Sequence, residues 1–179
     1  MLEITIPGAE MYDETKEEFI SFDACTLQLE HSLVSISKWE SKWHKLFLSK
    51  QEKTNEEVLD YIRCMTLTEN VDPNVYLGLT NDNVKAINEY IENPMTATYV
   101  PDTGGKTNKE QVSSELIYYW MIAQNVPPEY QHWHLNRLLT LLRVCSVKNA
   151  PPKQTSKSEM ASRYASLNAA RRKKLNTKG

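Results

Sequence analysis

The sequence has no long hydrophobic run and few cysteines, and each absence excludes a class of protein. No stretch of about 18 consecutive apolar residues occurs, so no membrane-spanning helix is predicted. The N-terminus lacks a basic segment followed by an apolar one, so we expect no secretory signal. Cys25, Cys64 and Cys145 are widely spaced and odd in number. This spacing argues against a disulfide framework and favours three small buried residues in a reducing cytoplasm.

The composition is that of a globular protein whose two ends differ strongly in charge. Its 179 residues are 40% hydrophobic and 25% charged, with a net charge of -2, and they suffice for one hydrophobic core. Residues 1–144 carry 22 Asp and Glu against 12 Lys and Arg, whereas residues 145–179 carry nine Lys and Arg against Glu159 alone. An acidic part of charge -10 is therefore followed by a basic part of charge +8.

The first 24 residues predict a small β-hairpin. Residues 2–6 alternate apolar and polar side chains before Pro7-Gly8, and residues 19–22 form a second short apolar run. The polar stretch between the two runs predicts a long loop. Because two strands alone are marginally stable, this hairpin must pack on helices or join a larger sheet.

Apolar residues at helical spacing predict five helices after the hairpin. In the first helix, six apolar residues recur every three or four positions and share one face, namely Leu29, Leu33, Ile36, Trp39, Trp43 and Phe47. Thr54 with Glu57 predicts a capping box for the second helix, and Thr80 is a candidate cap for the third. The predicted ranges are 27–47, 54–67, 80–92, 109–125 and 129–146. The expected fold is mainly α (α+β), with a bundle-like helical core and the small N-terminal hairpin.

Pro151-Pro152 separates a predicted globular domain, residues 1–150, from a basic tail, residues 151–179. Ser156 and Glu159 have the spacing of a capping box, and the Ala, Lys and Arg content of residues 157–174 favours a helix. Ordering about 20 residues costs roughly 1–2 kcal/mol each, and a lone helix of this length is marginal in water. We therefore expect the tail to be frayed in the free monomer and ordered against a partner.

The tail is also the best candidate for a partner-binding site. Its candidate contact residues are Met160, Tyr164, Leu167, Arg171, Arg172, Lys173 and Lys174. The four basic residues can pair with phosphates or with an acidic protein surface. The acidic part of the chain repels nucleic acid, and no aromatic residues are interleaved with the basic ones. A protein partner is therefore favoured over nucleic acid, and a solvated, solubilising tail is the alternative.

No arrangement of residues predicts catalysis, a metal site or a cofactor. On a helix, His132 and His134 would point about 200° apart and could not share a metal ion, and His31 and His44 lack other ligands at suitable spacing. Residues 104–107, Gly-Gly-Lys-Thr, lack the upstream glycine of a phosphate-binding loop and are interpreted as a turn. Because no nucleophile, base and oxyanion site assemble, we expect no enzymatic activity.

Two further patterns have structural interpretations. Paired carboxylates such as Glu56-Glu57 are interpreted as solvated acids or as first-turn acids that favour a helix N-terminus. The large aromatic residues Trp39, Trp43 and Tyr118-Tyr119-Trp120 favour core packing. The alternative for some of them is an exposed apolar strip that binds a partner.

Three stretches carry a family resemblance. They are TLQLEHSLVSISKWESKW at 26–43, ELIYYWMI at 115–122 leading to WHLNRLLTLLR at 133–143, and LNAARRKKL at 167–175. Together they resemble the tail assembly chaperones of long-tailed bacteriophages, over nearly the whole chain. The resemblance implies a non-enzymatic protein in the cytoplasm of the infected bacterial host. Such a chaperone coats the tape measure protein and keeps it soluble until tail tube subunits polymerise around it. The resemblance implies no catalytic, metal-binding or cofactor-binding residues.

The charge pattern is compatible with a removable coat. Many weak contacts give avidity while each stays reversible. Head-to-tail contacts between copies would place Arg171–Lys174 of one copy against acids such as Glu10–Glu18 of the next. The expected partners are the tape measure protein, the tail tube protein and further copies of the chain, with no membrane. Two alternatives stay open: a structural virion component, such as a tail or head–tail connector protein, and a small nucleic-acid-binding regulator using residues 163–174.

Overall fold

The computed structural model describes residues 1–13, 17–100, 111–150 and 157–176. Within these ranges the strands are β1 (Leu2–Ile6), β2 (Ala9–Asp13), β3 (Glu18–Phe22) and β4 (Cys25–Leu29). The α-helices there are α1 (Leu33–Trp43), α2 (Asn55–Met65), α3 (Asn81–Glu92), α4 (Ser114–Ala123), α5 (Leu135–Asn149) and α6 (Lys157–Leu175). Two 3-10 segments span Pro73–Gly78 and Pro128–His132. The predicted mainly α fold with a small N-terminal β unit is confirmed.

The strand pairing differs from the predicted hairpin. β1 pairs antiparallel with β4, and β2 pairs antiparallel with β3. The prediction that residues 2–6 pair with residues 19–22 is therefore wrong. Residues 25–29 are the true partner of β1, and within them Leu27 and Leu29 are buried while the residues beside them are not. The registers run from Leu2 opposite Leu29 to Ile6 opposite Cys25, and from Ala9 opposite Phe22 to Asp13 opposite Glu18.

The ends of the first three helices follow local capping chemistry. α1 begins after Ser32, which forms a capping box, rather than at residue 27. It ends before His44, whose backbone is left-handed with a φ of 52°. Thr54 and Thr80 cap α2 and α3, as predicted. The capping box predicted at Thr54 is confirmed, and Thr80 also forms one, with Asn83.

The next two helices are shorter than predicted. α4 begins at Ser114, and the predicted helix 129–146 is divided into a 3-10 segment and α5. The division lies at Trp133, whose backbone is extended. There the chain runs beside the segment that precedes α1. The Leu135 amide donates to the His31 carbonyl at 2.9 Å, and His134 forms an antiparallel β-bridge with Ser32.

One hydrophobic core joins the strands to α1–α5. α1 packs against α2 and α4, and Trp39 lies at its centre with 1% of its surface exposed. The Trp39 indole donates to the Glu57 carbonyl at 2.8 Å, so its polar atom is satisfied. Core packing is therefore confirmed for Trp39, and Trp43 is partly buried against the same core. The other apolar side chains with at most 1% exposure are Ile6, Leu27, Leu29, Leu33, Ile36, Met65, Ile117, Leu135 and Leu138.

The chain divides into two compact units, Met1–Lys148 and Asn149–Gly179. The first unit contains the four strands, the two 3-10 segments and the core helices, and it is called the body below. The second unit contains α6. The sequence-based boundary falls after residue 150, close to this division, and the expected fraying of the tail stays a prediction.

Gly78 packs closely against Phe22 of β3, and alanine does not fit in its place. A Cβ at position 78 would lie 2.5 Å from the Phe22 ring and 3.1 Å from Ile6 Cγ2. Since Phe22 is only 7% exposed, its ring has little space to move aside. We expect Gly78→Ala to lower the free energy of unfolding by about 2 kcal/mol, measured by urea denaturation.

A second substitution isolates the cause of this loss. Phe22→Leu removes the ring, so adding Gly78→Ala in that background should cost clearly less than in the native chain. An equal cost in both backgrounds would contradict the proposed collision between position 78 and the ring.

Candidate functional site

The candidate apolar contact residues of the tail lie together on one face of α6. Every described side chain of this helix is exposed. At 3.6 residues per turn, residues spaced four and three apart share one side. The α6 stripe, as it is called below, consists of Met160 (45% exposed), Tyr164 (60%), Leu167 (48%) and Leu175 (70%).

The candidate basic residues lie near the C-terminal end of the same helix. Arg172, Lys173 and Lys174 are in its last turn, and Arg171 precedes them. Cations there interact favourably with the carbonyl end of the helix dipole. Consecutive helical residues point about 100° apart, so the four side chains surround the helix rather than form one patch. They can meet acidic groups from several directions.

α4 is apolar around almost its whole circumference. Ile117 and Met121 are buried in the core, whereas Tyr119 and Ile122 are 62% and 75% exposed. A helix that is hydrophobic on every side is normally covered on every side. The outward face of α4 is exposed to solvent in the single chain. Core packing is therefore wrong for Tyr119, which lies on an exposed apolar surface as the alternative interpretation had it.

A cleft of about 310 Å³ lies between α4 and α5. It is called the α4–α5 cleft and is lined by Trp120, Gln124, Leu139, Leu142, Arg143 and Ser146. Among the described residues, the Oε1 atom of Gln124 is buried and has no hydrogen-bond partner. An unpaired buried acceptor costs about 1–3 kcal/mol.

α5 carries three basic residues, and one of them, Arg143, lines this cleft. α5 contains Arg137, Arg143 and Lys148 and no acidic residue. The Arg137 guanidinium stacks 4.0 Å above the Trp133 ring, and Arg143 lines the cleft.

A second polar cluster, the histidine junction, is formed by His31, Tyr61, Tyr90 and His134. The rings of His31 and His134 are 5.0 Å apart in an edge-to-face arrangement. His31 Nδ1 lies 2.5 Å from the Tyr61 hydroxyl, and His134 Nε2 donates to the Tyr90 carbonyl at 2.9 Å. The junction thus fastens the segment before α1 to α2, α3 and the start of α5.

Both imidazoles of the histidine junction are neutral at pH 7. Burial, with a smaller contribution from His134, lowers the pKa of His31 to about 4. Burial also lowers the pKa of His134, against the hydrogen bond to the Tyr90 carbonyl. Burial raises the pKa of the Tyr61 hydroxyl.

In the described part of the chain, no group of three or more His, Cys, Asp or Glu residues could hold a metal ion. The junction is thus a neutral structural contact.

The prediction that His132 and His134 lie on one helix is wrong. His132 ends a 3-10 segment with its Nδ1 atom 3.4 Å from a Glu30 carboxylate oxygen, whereas His134 turns into the core just before α5. The pairing of His31 with His134 joins distant parts of the sequence. No local pattern in the sequence indicates it.

Two acidic residues of α2 are buried and committed to ion pairs. Glu57 accepts from the Thr54 amide at 2.8 Å and pairs with Lys45, which is the main reason its pKa lies below the ordinary value. Burial raises the pKa of Asp60, but its bonds, chiefly the ion pair with Lys42, hold it below the usual range. The first-turn interpretation of Glu57 is confirmed and the solvated one is wrong, since the residue is 1% exposed.

The cysteines are less buried than predicted. Cys25, Cys64 and Cys145 are unpaired, and all three are partly exposed rather than buried. Burial is sufficient at Cys64 to raise the pKa of its thiol, which disfavours the reactive thiolate there.

Several predicted features lie outside the described residues. They are the turn at 104–107, Ser156 with the Glu159 side chain of the second capping box, and residues 14–16 of the proposed acidic contact.

No family model, curated protein or solved structure matches this chain. Among the residues that the structure describes, no helix is long and apolar enough to cross a membrane. The family resemblance stays a prediction.

Proposed function

We propose that this protein is a non-enzymatic tail assembly chaperone of a long-tailed bacteriophage. It binds the tape measure protein in the cytoplasm of the infected host and keeps it soluble until the tail tube polymerises. The observation that carries the proposal is α6, a helix of 19 residues on which every described side chain is exposed. This length gives about 28 Å of helix surface, with the α6 stripe along one side, for contact with a long helical partner.

The energetics of α6 suit a reversible coat. Each apolar side chain of the α6 stripe contributes about 1.5–3 kcal/mol when fully buried. Association and ordering cost about 4–15 kcal/mol, so the net affinity of one copy is low. Many copies on one long partner gain avidity from their number, and a growing tube displaces them one at a time.

The charge distribution supports contacts between neighbouring copies on the same partner. Glu10, Glu17 and Glu18 on the β2–β3 hairpin are exposed and available to basic residues of another copy. The basic residues 171–174 of α6 supply the opposite charge. Contacts of this heterologous kind build rows rather than closed pairs, and salt weakens them.

Co-expression with the tape measure protein of the same phage tests the proposal. The native chain should raise the soluble fraction of the tape measure protein severalfold. Replacing the four residues of the α6 stripe with Ser should abolish most of that increase. The matched control replaces four exposed apolar residues of the body with Ser, namely Val58, Leu67, Leu77 and Val84, which are 38–46% exposed. This control should keep the increase.

Two results would overturn the proposal. One is a soluble fraction that does not change when the native chain is present. The other is recovery of the chain in purified virions at the copy number of a tail protein, which would favour the structural alternative.

A further inference from the structure

The outward face of the β2–β3 hairpin carries an exposed aromatic pair, formed by Tyr12 and Phe19. The two residues lie opposite each other in the register, their ring centroids are 5.1 Å apart, and they are 51% and 70% exposed. Because side chains alternate along a strand, Met11 and Ile20 lie on the opposite face, where they pack against the core. Grouped aromatic side chains that stay exposed in a single chain are typical of a surface that binds another chain.

The charged groups beside the aromatic pair are acidic. Glu10 is two residues before Tyr12 on β2, so it lies on the same outward face, and it is exposed. Glu17 precedes β3 and is also exposed. Residues 9–22, which include both strands, contain five Asp and Glu against Lys16 alone. A partner with a basic surface is therefore complementary to this face of the hairpin.

The C-terminal end of α6 has the properties that such a partner needs. Arg171, Lys174 and Leu175 are spaced three and four residues apart, so they share one side of the helix. All three are exposed, and the helix contains no acidic residue after Glu159. An apolar side chain between two cations is complementary to an aromatic pair beside carboxylates, and the cations can also lie over the rings.

We propose that the outward face of the β2–β3 hairpin is the docking site for the C-terminal end of α6 of a second copy. Leu175 packs on the aromatic pair, while Arg171 and Lys174 face the carboxylates of the hairpin. The inference rests on the proposed function, whose contacts between copies it assigns to named side chains. The contact uses only the last residue of the α6 stripe and leaves the others for the long partner. Since each copy has one hairpin and one α6, such contacts are heterologous and extend into rows.

Two variants of the full chain test the contact without the tape measure protein. The hairpin variant, Tyr12→Ser with Phe19→Ser, removes the aromatic pair, and the tail variant, Arg171→Glu with Lys174→Glu, reverses the charge on α6. In sedimentation velocity, the native chain should form oligomers larger than a dimer as its concentration rises. Each variant alone should associate about tenfold more weakly. An equimolar mixture offers one intact hairpin and one intact α6 per pair, so it should form heterodimers and no larger species.

Two further variants separate a specific contact from a general effect of charge. Arg172→Glu with Lys173→Glu changes the net charge as much as the tail variant does, but these residues point to other sides of α6. This control should keep most of the association. Adding Glu10→Lys and Glu17→Lys to the tail variant restores opposite charges across the contact and should recover the association.

The contrary outcomes each overturn the inference. A native chain that stays monomeric up to millimolar concentration would mean that α6 does not bind the hairpin of a second copy. A mixture that associates no better than its components would remove the pairing of hairpin with α6. An equal loss in the tail variant and its control would leave only net charge. These failures leave the co-expression result intact, whereas self-association without solubilisation contradicts the proposed function alone.

Discussion

Glu40→Ala is expected to lower the free energy of unfolding by about 3–5 kcal/mol, because one buried carboxylate joins three parts of the body. Glu40 lies on α1 and is 8% exposed. Its Oε1 atom accepts from the Phe47 amide and its Oε2 atom from the Ser114 amide, both at 2.8 Å. Hydrogen bonds to a charged group contribute about 1.5–3 kcal/mol each, and alanine leaves both amides without an acceptor.

The bond to Ser114 explains why this carboxylate has a large effect. Ser114 is the first residue of α4, so Glu40 places a negative charge at a helix N-terminus, where amides lack partners within the helix. The same carboxylate fixes Phe47, whose ring packs 4.0 Å from that of Tyr61. Loss of Glu40 therefore loosens α4 and the chain after α1 together.

Urea denaturation of three variants checks this expectation. Glu40→Gln keeps the size and one oxygen acceptor but loses the charge. Its free energy of unfolding should therefore lie between those of the native chain and Glu40→Ala. Glu92→Ala removes an exposed carboxylate at the end of α3 and should change stability by less than about 0.5 kcal/mol. A Glu40→Ala variant within about 1 kcal/mol of the native chain would show that water replaces both bonds.

The features that the sequence predicts well are those made within one helical turn. The capping boxes at Thr54 and Thr80 depend on groups three residues away, and α2 and α3 begin where these residues predict. The apolar residues of the α6 stripe likewise share a face by spacing alone. Such features need no knowledge of which distant segments meet.

The features that the sequence does not predict depend on distant pairing. Leu29 and Leu33 fit a helical period, while Leu27 and Leu29 also fit a strand. The pairing of β1 with residues 25–29 makes this segment a strand rather than the start of a helix. The α4–α5 cleft, the Glu40 contacts and the pairing of His31 with His134 arise in the same way, because each joins segments that only the folded chain brings together.

Acid is expected to destabilise the protein by about 3 kcal/mol between pH 6.5 and pH 4 through His31 alone. Burial lowers the pKa of His31 to about 4, whereas an unfolded histidine titrates near 6.5. Between these values the unfolded chain binds more protons, so stability is complete above pH 6.5 and is lost as the pH falls through the folded pKa. His134, whose pKa is also lowered, adds to the loss in the same direction.

The surroundings of His31 offer no stabilisation to an imidazolium. His134 faces it from the start of α5, and the hydroxyl of Tyr61 faces it from α2. The Phe47 ring also lies beside His31, and Tyr90 on α3 contacts His134, so none of these four rings carries a negative charge at neutral pH. Protonation of His31 would place a buried charge beside a second imidazole, which is unfavourable.

The pH window separates this effect from acid titration of carboxylates. Glu57, Asp60 and Glu115 have pKa values below their ordinary ones, so the stability that they contribute is lost only at lower pH. The slope of unfolding free energy between pH 6.5 and pH 4.5, from urea titrations at several pH values, therefore reports the buried histidines. Salt dependence should be weak there, because buried groups are poorly screened.

His31→Asn tests the assignment. Its amide can stay within reach of the Tyr61 hydroxyl but does not titrate, so the slope between pH 6.5 and pH 4.5 should fall to the part due to His134. His44→Asn is the matched control, because His44 is exposed and left-handed, a conformation that asparagine tolerates, and its slope should equal that of the native chain. An unchanged slope in His31→Asn would mean that a group other than His31 binds the proton. The histidine junction would then be only a packing contact.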